Sequence, residues 1–389
     1  MSNSRNENKK HISNYSTSSK AIFYISLILS LFGILMVYSA TFNTNFVIKQ
    51  IIAFIIGLFI YFIITLNKKI TVNFIKKSVP WLVLINIILL ILVFTPLGVE
   101  VNGARGWINL GIITFQPSEL SKIVIILYTA YFIENKIDII KDFKKGFVAP
   151  FVIMLILAFL IEIEPDLGNS TIVALLFLVT MFVGGTPIWH MLPLFIFSFI
   201  AFILLVLTKS YRIKRFLAFI DPFKDPLGYG YNIIQSLIAH AKGGILGVGF
   251  GNSLQKQYYL PEKHTDFIYS IIGEELGLIG SLFILFLFFT LFSIGIHNSL
   301  KQTNTFRKLV LFSLSFMIFF QAAVNIGVTL SLLPATGITL PFISYGGTSM
   351  IINWLAVALI NKIINEPEKE ESLDIKRKLQ FPTSIPLYR

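Results

Sequence analysis

Long apolar runs joined by short polar connections dominate this chain. Stretches of about 20 Leu-, Ile- and Phe-rich residues are what an α-helix needs to cross a hydrocarbon layer of roughly 30 Å. They recur at roughly 21–42, 46–66, 80–97, 117–134, 147–163, 168–184, 188–208, 267–296, 309–333 and 342–362. The pattern predicts an all-α integral membrane protein of about ten transmembrane helices, with polar tails at 1–20 and 365–389 flanking one helical domain at 21–364.

Composition removes the alternatives. Of 389 residues 55% are hydrophobic and only 13% charged, where a soluble domain carries roughly 25% charged residues. Cysteine is absent, so disulfides and thiolate metal sites are not expected. The first apolar stretch lacks a small-residue cleavage site and reads as a retained helix. There is no Gly-rich phosphate fingerprint, no alternation of strands with helices and no His pair on one helix face, so neither a nucleotide domain nor a protein-built metal site is expected. Nucleic acid is not an expected partner, whereas membrane lipids are.

The net charge of +12 is unevenly placed. Arg5, Lys9, Lys10 and Lys20 precede the first span; Lys68, Lys69, Lys76 and Lys77 follow the second; Lys136, Lys141, Lys144 and Lys145 follow the fourth; Lys301, Arg307 and Lys308 follow the eighth. Excess Lys and Arg in short loops marks the cytoplasmic side, so both termini are expected there. The opposite side then carries connections 98–116, 164–167, 209–266 and 334–341. The large one, between helices 7 and 8, holds Lys209, Arg212, Lys214, Arg215, Lys224, Lys242, Lys256 and Lys263. Long loops have little say in topology. A basic surface beside a bilayer attracts phosphates, although an ordinary solvated loop has the same composition.

Ionisable groups at membrane depth are costly unless paired or facing a cavity, which makes each one a candidate. Glu119 and Lys122 stand at i, i+3 in the fourth span, as a structural ion pair or a cavity wall. Glu162, Glu164 and Asp166 lie between the fifth and sixth spans, and Glu262, Asp266, Glu274 and Glu275 around the start of the eighth. Asp266 precedes Phe267 and Ile268, where partial desolvation raises a carboxyl towards the range of a general base; a helix N-cap is the competing reading. Residues 333–349 are Gly- and Pro-rich at membrane depth, which is tolerated in a cavity lining or inside packed protein.

Six ordered blocks resemble the SEDS family (shape, elongation, division and sporulation), which comprises the FtsW, RodA and SpoVE branches. They are MVYSA at 36–40, NGARGWINLGIITFQPSELSK at 102–122, EPDLGNS at 164–170, DPFKDPLGYGYNIIQS at 221–236, the run from Gly243 to Gly277, and LPATGITLPFISYGGTS at 333–349. The chain is more similar to the FtsW branch, through Gly251, Asn252 and Ser253 followed by Gln255 and Lys256, and through Thr336, Gly337, Ile338, Thr339 and Leu340. It departs from the family pattern in having Gly106, not Arg, before Trp107, with Arg105 as the remaining basic residue.

The resemblance implies a bacterial inner-membrane peptidoglycan glycosyltransferase. Such an enzyme polymerises lipid II into glycan on the outer face, with inversion, for septal wall synthesis in division. It further implies Asp266 as base, with Arg105, Trp107, Glu119, Lys122, Arg212, Arg215, Lys256 and Lys263 as substrate-binding residues. Implied partners are lipid II, the nascent glycan strand, a class B penicillin-binding protein transpeptidase and divisome proteins. A divalent cation at the pyrophosphate is compatible with this chemistry, although no ligand set in the sequence specifies one. A lipid II flippase and a RodA-like elongation polymerase are the alternatives.

Overall fold

The computed structural model describes residues 2–101, 104–109, 111, 114–207 and 210–366. Local chemistry sets several helix starts. α1 (Ser2–Thr41) leads into α2 (Thr44–Leu66), capped by Asn43, and α3 (Val72–Leu92), capped by Thr71. Pro117 opens α4 (Pro117–Asn135), where its missing N–H costs nothing. A π-helical turn at Phe143–Val148 feeds α5 (Ala149–Ile163), followed by α6 (Leu167–Val183), capped by Asp166, and α7 (Ile188–Leu207).

The large connection folds into three further helices, α8 (Ser210–Ile220), α9 (Tyr231–Gly243) and α10 (Gln255–Tyr258). The chain ends in α11 (Ile268–Leu300), α12 (Thr305–Thr329), capped by Asn304, and α13 (Gly347–Asn365).

Among the described residues seven helices are long and apolar enough to cross a membrane: α1 from Thr17, α2, α3, the Phe143–Ile163 unit, α11, α12 and α13. Helix α6 has only 17 residues, and α4 carries Glu119, Lys122 and Glu134. The all-α membrane class therefore holds, but ten is not a number that length and composition establish.

One boundary needs correction. The third span, read as 80–97, begins instead at Val72, because Thr71 accepts from Phe74 N at 3.1 Å as a cap and Pro80 lies inside the helix. Lys76 and Lys77 thus stand on α3, not in a connection. The connection at 98–116 carries secondary structure of its own: β1 (Gly98–Val101), β2 (Ala104–Asn109) and β3 (Thr114–Phe115) form a small antiparallel sheet in that order.

Helices α12 and α13 are the buried centre, while α2, α3 and α7 turn Phe, Ile and Leu outwards. In lipid no hydrophobic force drives one apolar helix against another, so close packing and buried polar bonds must do it. Trp354 on α13 is enclosed by Phe23, Phe54, Tyr61 and Phe342, and its Nε1 donates to Ser30 Oγ at 3.1 Å. Gly33 lets α1 approach the backbone of residues 342–343, since a Cβ there would lie 2.4 Å from Phe342 O.

Candidate active site

Five segments meet at one end of the bundle. The turn at 261–267 leading into α11 is stitched to residues 333–346: Tyr345 N donates to His264 O (2.8 Å), Ser344 Oγ to Thr265 O (2.6 Å), and Asn325 Nδ2 to both Asp266 O and Ile338 O (2.8 Å each). The start of α6 closes on the same loop, because a Cβ on Gly168 would lie 2.5 Å from Thr336 O. The start of α4 joins through Gln116, whose N–H donates to Thr348 Oγ1 (3.0 Å) and whose Nε2 donates to Asp166 Oδ2 (3.1 Å). Helix α8 brings Arg215 into the field of Asp266.

Asp266 is half-buried, and its carboxylate makes no hydrogen bond among the described residues. The N-cap position of α11 is Phe267, with no side-chain cap, so the capping reading does not apply to Asp266. Burial, with the negative charges of Glu262 and Asp166 against the opposing pull of Arg215, pushes its pKa up to about 6. A carboxylate without a partner and poised near neutral pH has the properties of a proton acceptor.

Asp166 differs. It caps α6 through Asn169 N (3.0 Å) and also takes Asn169 Nδ2 (2.8 Å), so burial raises its pKa against the pull of those donors. Glu164 is fully buried, and neither of its carboxylate oxygens has a hydrogen-bond partner among the described residues. Desolvation, with Asp166 adding to it, pushes its pKa to about 9. Gly106 lies directly over it, a Cβ there falling 3.1 Å from Glu164 Oε2.

The expected cations fall into four groups. Lys122 is buried and bridges Glu119 Oε1 (2.7 Å) and Gln321 Oε1 (2.9 Å), within the field of Asp166. Arg215 is exposed beside Asp266, while its neighbour Arg212 is buried and pairs with Glu162 Oε1 at 2.6 Å. Arg105 is exposed on β2 and donates to Thr95 O (2.7 Å), with Trp107 half-buried on the same strand.

Lys256 is not disposed to meet a phosphate. It is 1% exposed, bonded to Glu275 and Ser39 and covered by the Phe42 ring. Its backbone O is taken by Lys263, whose own pKa is lowered by burial and by Lys256. Glu274 likewise serves structure, accepting from Ser253 Oγ, Leu254 N and Gln255 N.

Sequence reading missed Gln321 and Asn325. Both are amides at i, i+4 on an apolar span, which the cost of buried polar groups in a membrane could have singled out. Among the described residues no group of three or more His, Asp or Glu side chains is disposed to hold a metal ion. An apolar cleft of about 300 Å³ between α11 and α12, lined by Leu282, Leu285, Phe286, Phe289 and Phe319, has no titratable side chain.

Comparison with known proteins agrees with this architecture. The chain is 40% identical over 366 residues to the protein named "Probable peptidoglycan glycosyltransferase FtsW" of Wigglesworthia glossinidia brevipalpis, covering 91% of this chain and 95% of that one. It is 37% identical to the protein of the same name in Haemophilus influenzae, covering 89% and 90%. Among solved structures, it is similar to a chain of a peptidoglycan synthase complex that coordinates polymerization and crosslinking (TM-score 0.76, 28% identity, 90% and 98% covered). It is also similar to the rod shape determining protein RodA of Thermus thermophilus (TM-score 0.69, 26% identity, 90% and 97% covered). The pattern of the FtsW, RodA and SpoVE family, described as cell cycle proteins, matches residues 19–369, and the chain belongs to that family.

Proposed function

We propose that this protein is a peptidoglycan glycosyltransferase of cell division that polymerises lipid II at the outer face of the bacterial inner membrane. Both termini are then cytoplasmic, and a class B penicillin-binding protein and divisome components are its partners. The observation that carries this reading is the Asp266 carboxylate, free of hydrogen bonds among the described residues and held near pH 6 beside Arg215.

In the reaction, Asp266 takes the proton of the acceptor 4-hydroxyl as that oxygen attacks the anomeric carbon of the donor from the face opposite the leaving group. The new glycosidic bond forms, the bond from carbon to the pyrophosphate oxygen breaks, and the configuration inverts. Undecaprenyl pyrophosphate departs as an anion and needs positive charge more than a proton. Arg215, an exposed cation whose charge acts on Asp266, is assigned that role. Arg105 and Lys263 are further cations for the pyrophosphate, with Trp107 on the strand of Arg105; Arg212 stays in its buried pair with Glu162 and anchors α8, and the Glu119–Lys122 pair forms the wall behind Asp166. Lys256 is assigned to holding the α10 segment on α11 and α1.

The test uses purified protein with its transpeptidase partner, lipid II as substrate and product glycan sized by gel. Asp266→Asn keeps the shape and removes the base, so polymerisation falls by about 10² to 10⁴ while thermal stability and partner co-purification persist. The wild-type rate rises with pH through about 6 as the carboxyl ionises, and the residual rate of the variant lacks that rise. A folded Asn variant polymerising at the wild-type rate would refute the assignment.

A further inference from the structure

Helix α8 has its two faces the wrong way round for a helix in water. In SYRIKRFLAFI the apolar residues Ile213, Phe216, Leu217 and Ile220 fall at i, i+3, i+4, i+7, with three cations and no acid elsewhere on the helix. In a soluble protein such a stripe packs on the core. Here the opposite side turns inwards: Arg212 and Ala218 are buried, and Arg212 reaches Glu162 at the end of α5. Phe216, Leu217 and Ile220 point away from the protein, Leu217 being 57% exposed.

The outward apolar surface does not stop at the helix. It continues through Phe223 and through Leu227, which is 90% exposed. In the other direction α8 packs beside α7, where Phe199 and Leu207 are exposed in the same way. Cations border it: Lys214 is exposed, and so is Lys224, which has only Asp221 at 3.6 Å. At 11 residues, roughly 16 Å of helix, α8 cannot cross a membrane. An apolar stripe with a basic border, beside a helix whose apolar side chains also face outwards, fits a helix lying in the plane of an interface.

We propose that residues 213–227 lie along the membrane–water interface at the Asp266 end of the bundle. The stripe is sunk among lipid acyl chains, and Lys214 and Lys224 stand level with anionic phosphate headgroups. Lipid, not a protein partner, is the occupant, because the stripe adjoins the exposed apolar side of α7 and its rim is basic. The placement holds whichever reaction Asp266 serves.

Because the chain has no cysteine, Leu217→Cys and Leu227→Cys can each carry a single bimane label. The labelled full-length proteins are placed in nanodiscs of phosphatidylethanolamine and phosphatidylglycerol, with or without lipid bearing a nitroxide near the head of its acyl chain. Iodide is the aqueous quencher, and bimane-labelled glutathione is the aqueous reference. At both positions the lipid nitroxide is expected to dim the label at least about twofold, with iodide quenching well below the reference. The proposal stands only if both positions respond to the lipid nitroxide. Iodide quenching equal to the reference without lipid quenching at either position overturns it, and identifies a stripe in water that a protein partner would have to cover.

Discussion

Asp166 and Asp266 both stand just before a helix in the sequence, yet their carboxylates have different roles. Asp166 caps α6, while Asp266 is left without a hydrogen bond among the described residues. Sequence could nominate both and could not separate them, because capping depends on backbone direction at the helix start. Glu164 was legible only as an acid in a short connection. Its complete burial under Gly106 is a tertiary fact. It has a testable consequence: the folded pKa of about 9 lies above the ordinary 4.5, so folding favours the protonated acid. That contribution is fully present below about pH 4.5 and is lost as pH rises through about 9. Glu164→Gln cannot ionise and escapes the loss. Thermal unfolding in detergent should show wild type and variant alike near pH 5, and the variant ahead by roughly 2 °C or more at pH 8.5. A variant less stable than wild type at pH 8.5 would mean that the charged carboxylate is stabilised by a group outside the described residues.

At the scale of elements, the long run of α11 hides a break. Gly277 has φ +66° and ψ −164°, and the Gly-rich segment after α9 bonds across the gap. Leu278 N donates to Gly244 O (2.9 Å) and Ile279 N to Ile245 O (3.2 Å), while Val248 N and Gly249 N donate to Glu274 O and Glu275 O (3.0 Å each). Backbone groups that a broken helix leaves bare are thus paired, as membrane depth requires. The apolar periodicity of 267–296 survives the break, which is why sequence read one span there. The small sheet had a signal that was passed over, since Asn102-Gly103 between alternating residues is a hairpin pattern. A Cβ on Gly277 would lie 2.4 Å from Gly247 N, whereas one on Gly251, also at positive φ (+84°), meets nothing within 4 Å. Both alanine variants pay for the left-handed backbone, roughly 1 to 3 kcal/mol, and only Gly277→Ala also pushes the stitch apart. Gly277→Ala is therefore expected to melt lower than Gly251→Ala; equal melting temperatures would mean that the segment moves aside freely.

At the scale of the whole molecule, the alternation of basic connections sorts the chain into two ends, and the contacts agree with the sorting. Lys76 pairs with Glu134 (2.7 Å), Glu134 with Asn304 (2.7 Å), and Arg307 with Glu366 (3.5 Å), joining the chain in or next to four stretches that the charge pattern put on one side. Thr348 with Gln116, Gln116 with Asp166, and the charge of Asp166 acting on Asp266 join the connections put on the other. Contacts fix which loops share an end but not which end faces the cytoplasm; that depends on the bias of Lys and Arg in the short loops. Single cysteines at two exposed positions, Lys141→Cys after α4 and Gln257→Cys beside Lys256, decide it. In intact cells a membrane-impermeant maleimide is expected to label position 257 and to reach position 141 only after permeabilisation. The reverse pattern would put Asp266 and its cations on the cytoplasmic side, where a polymer of the external wall cannot be assembled, and would remove the polymerase reading along with the orientation. Labelling of both positions in intact cells would instead indicate leaky membranes, which a cytoplasmic marker protein with a surface cysteine, scored in the same cells, detects directly.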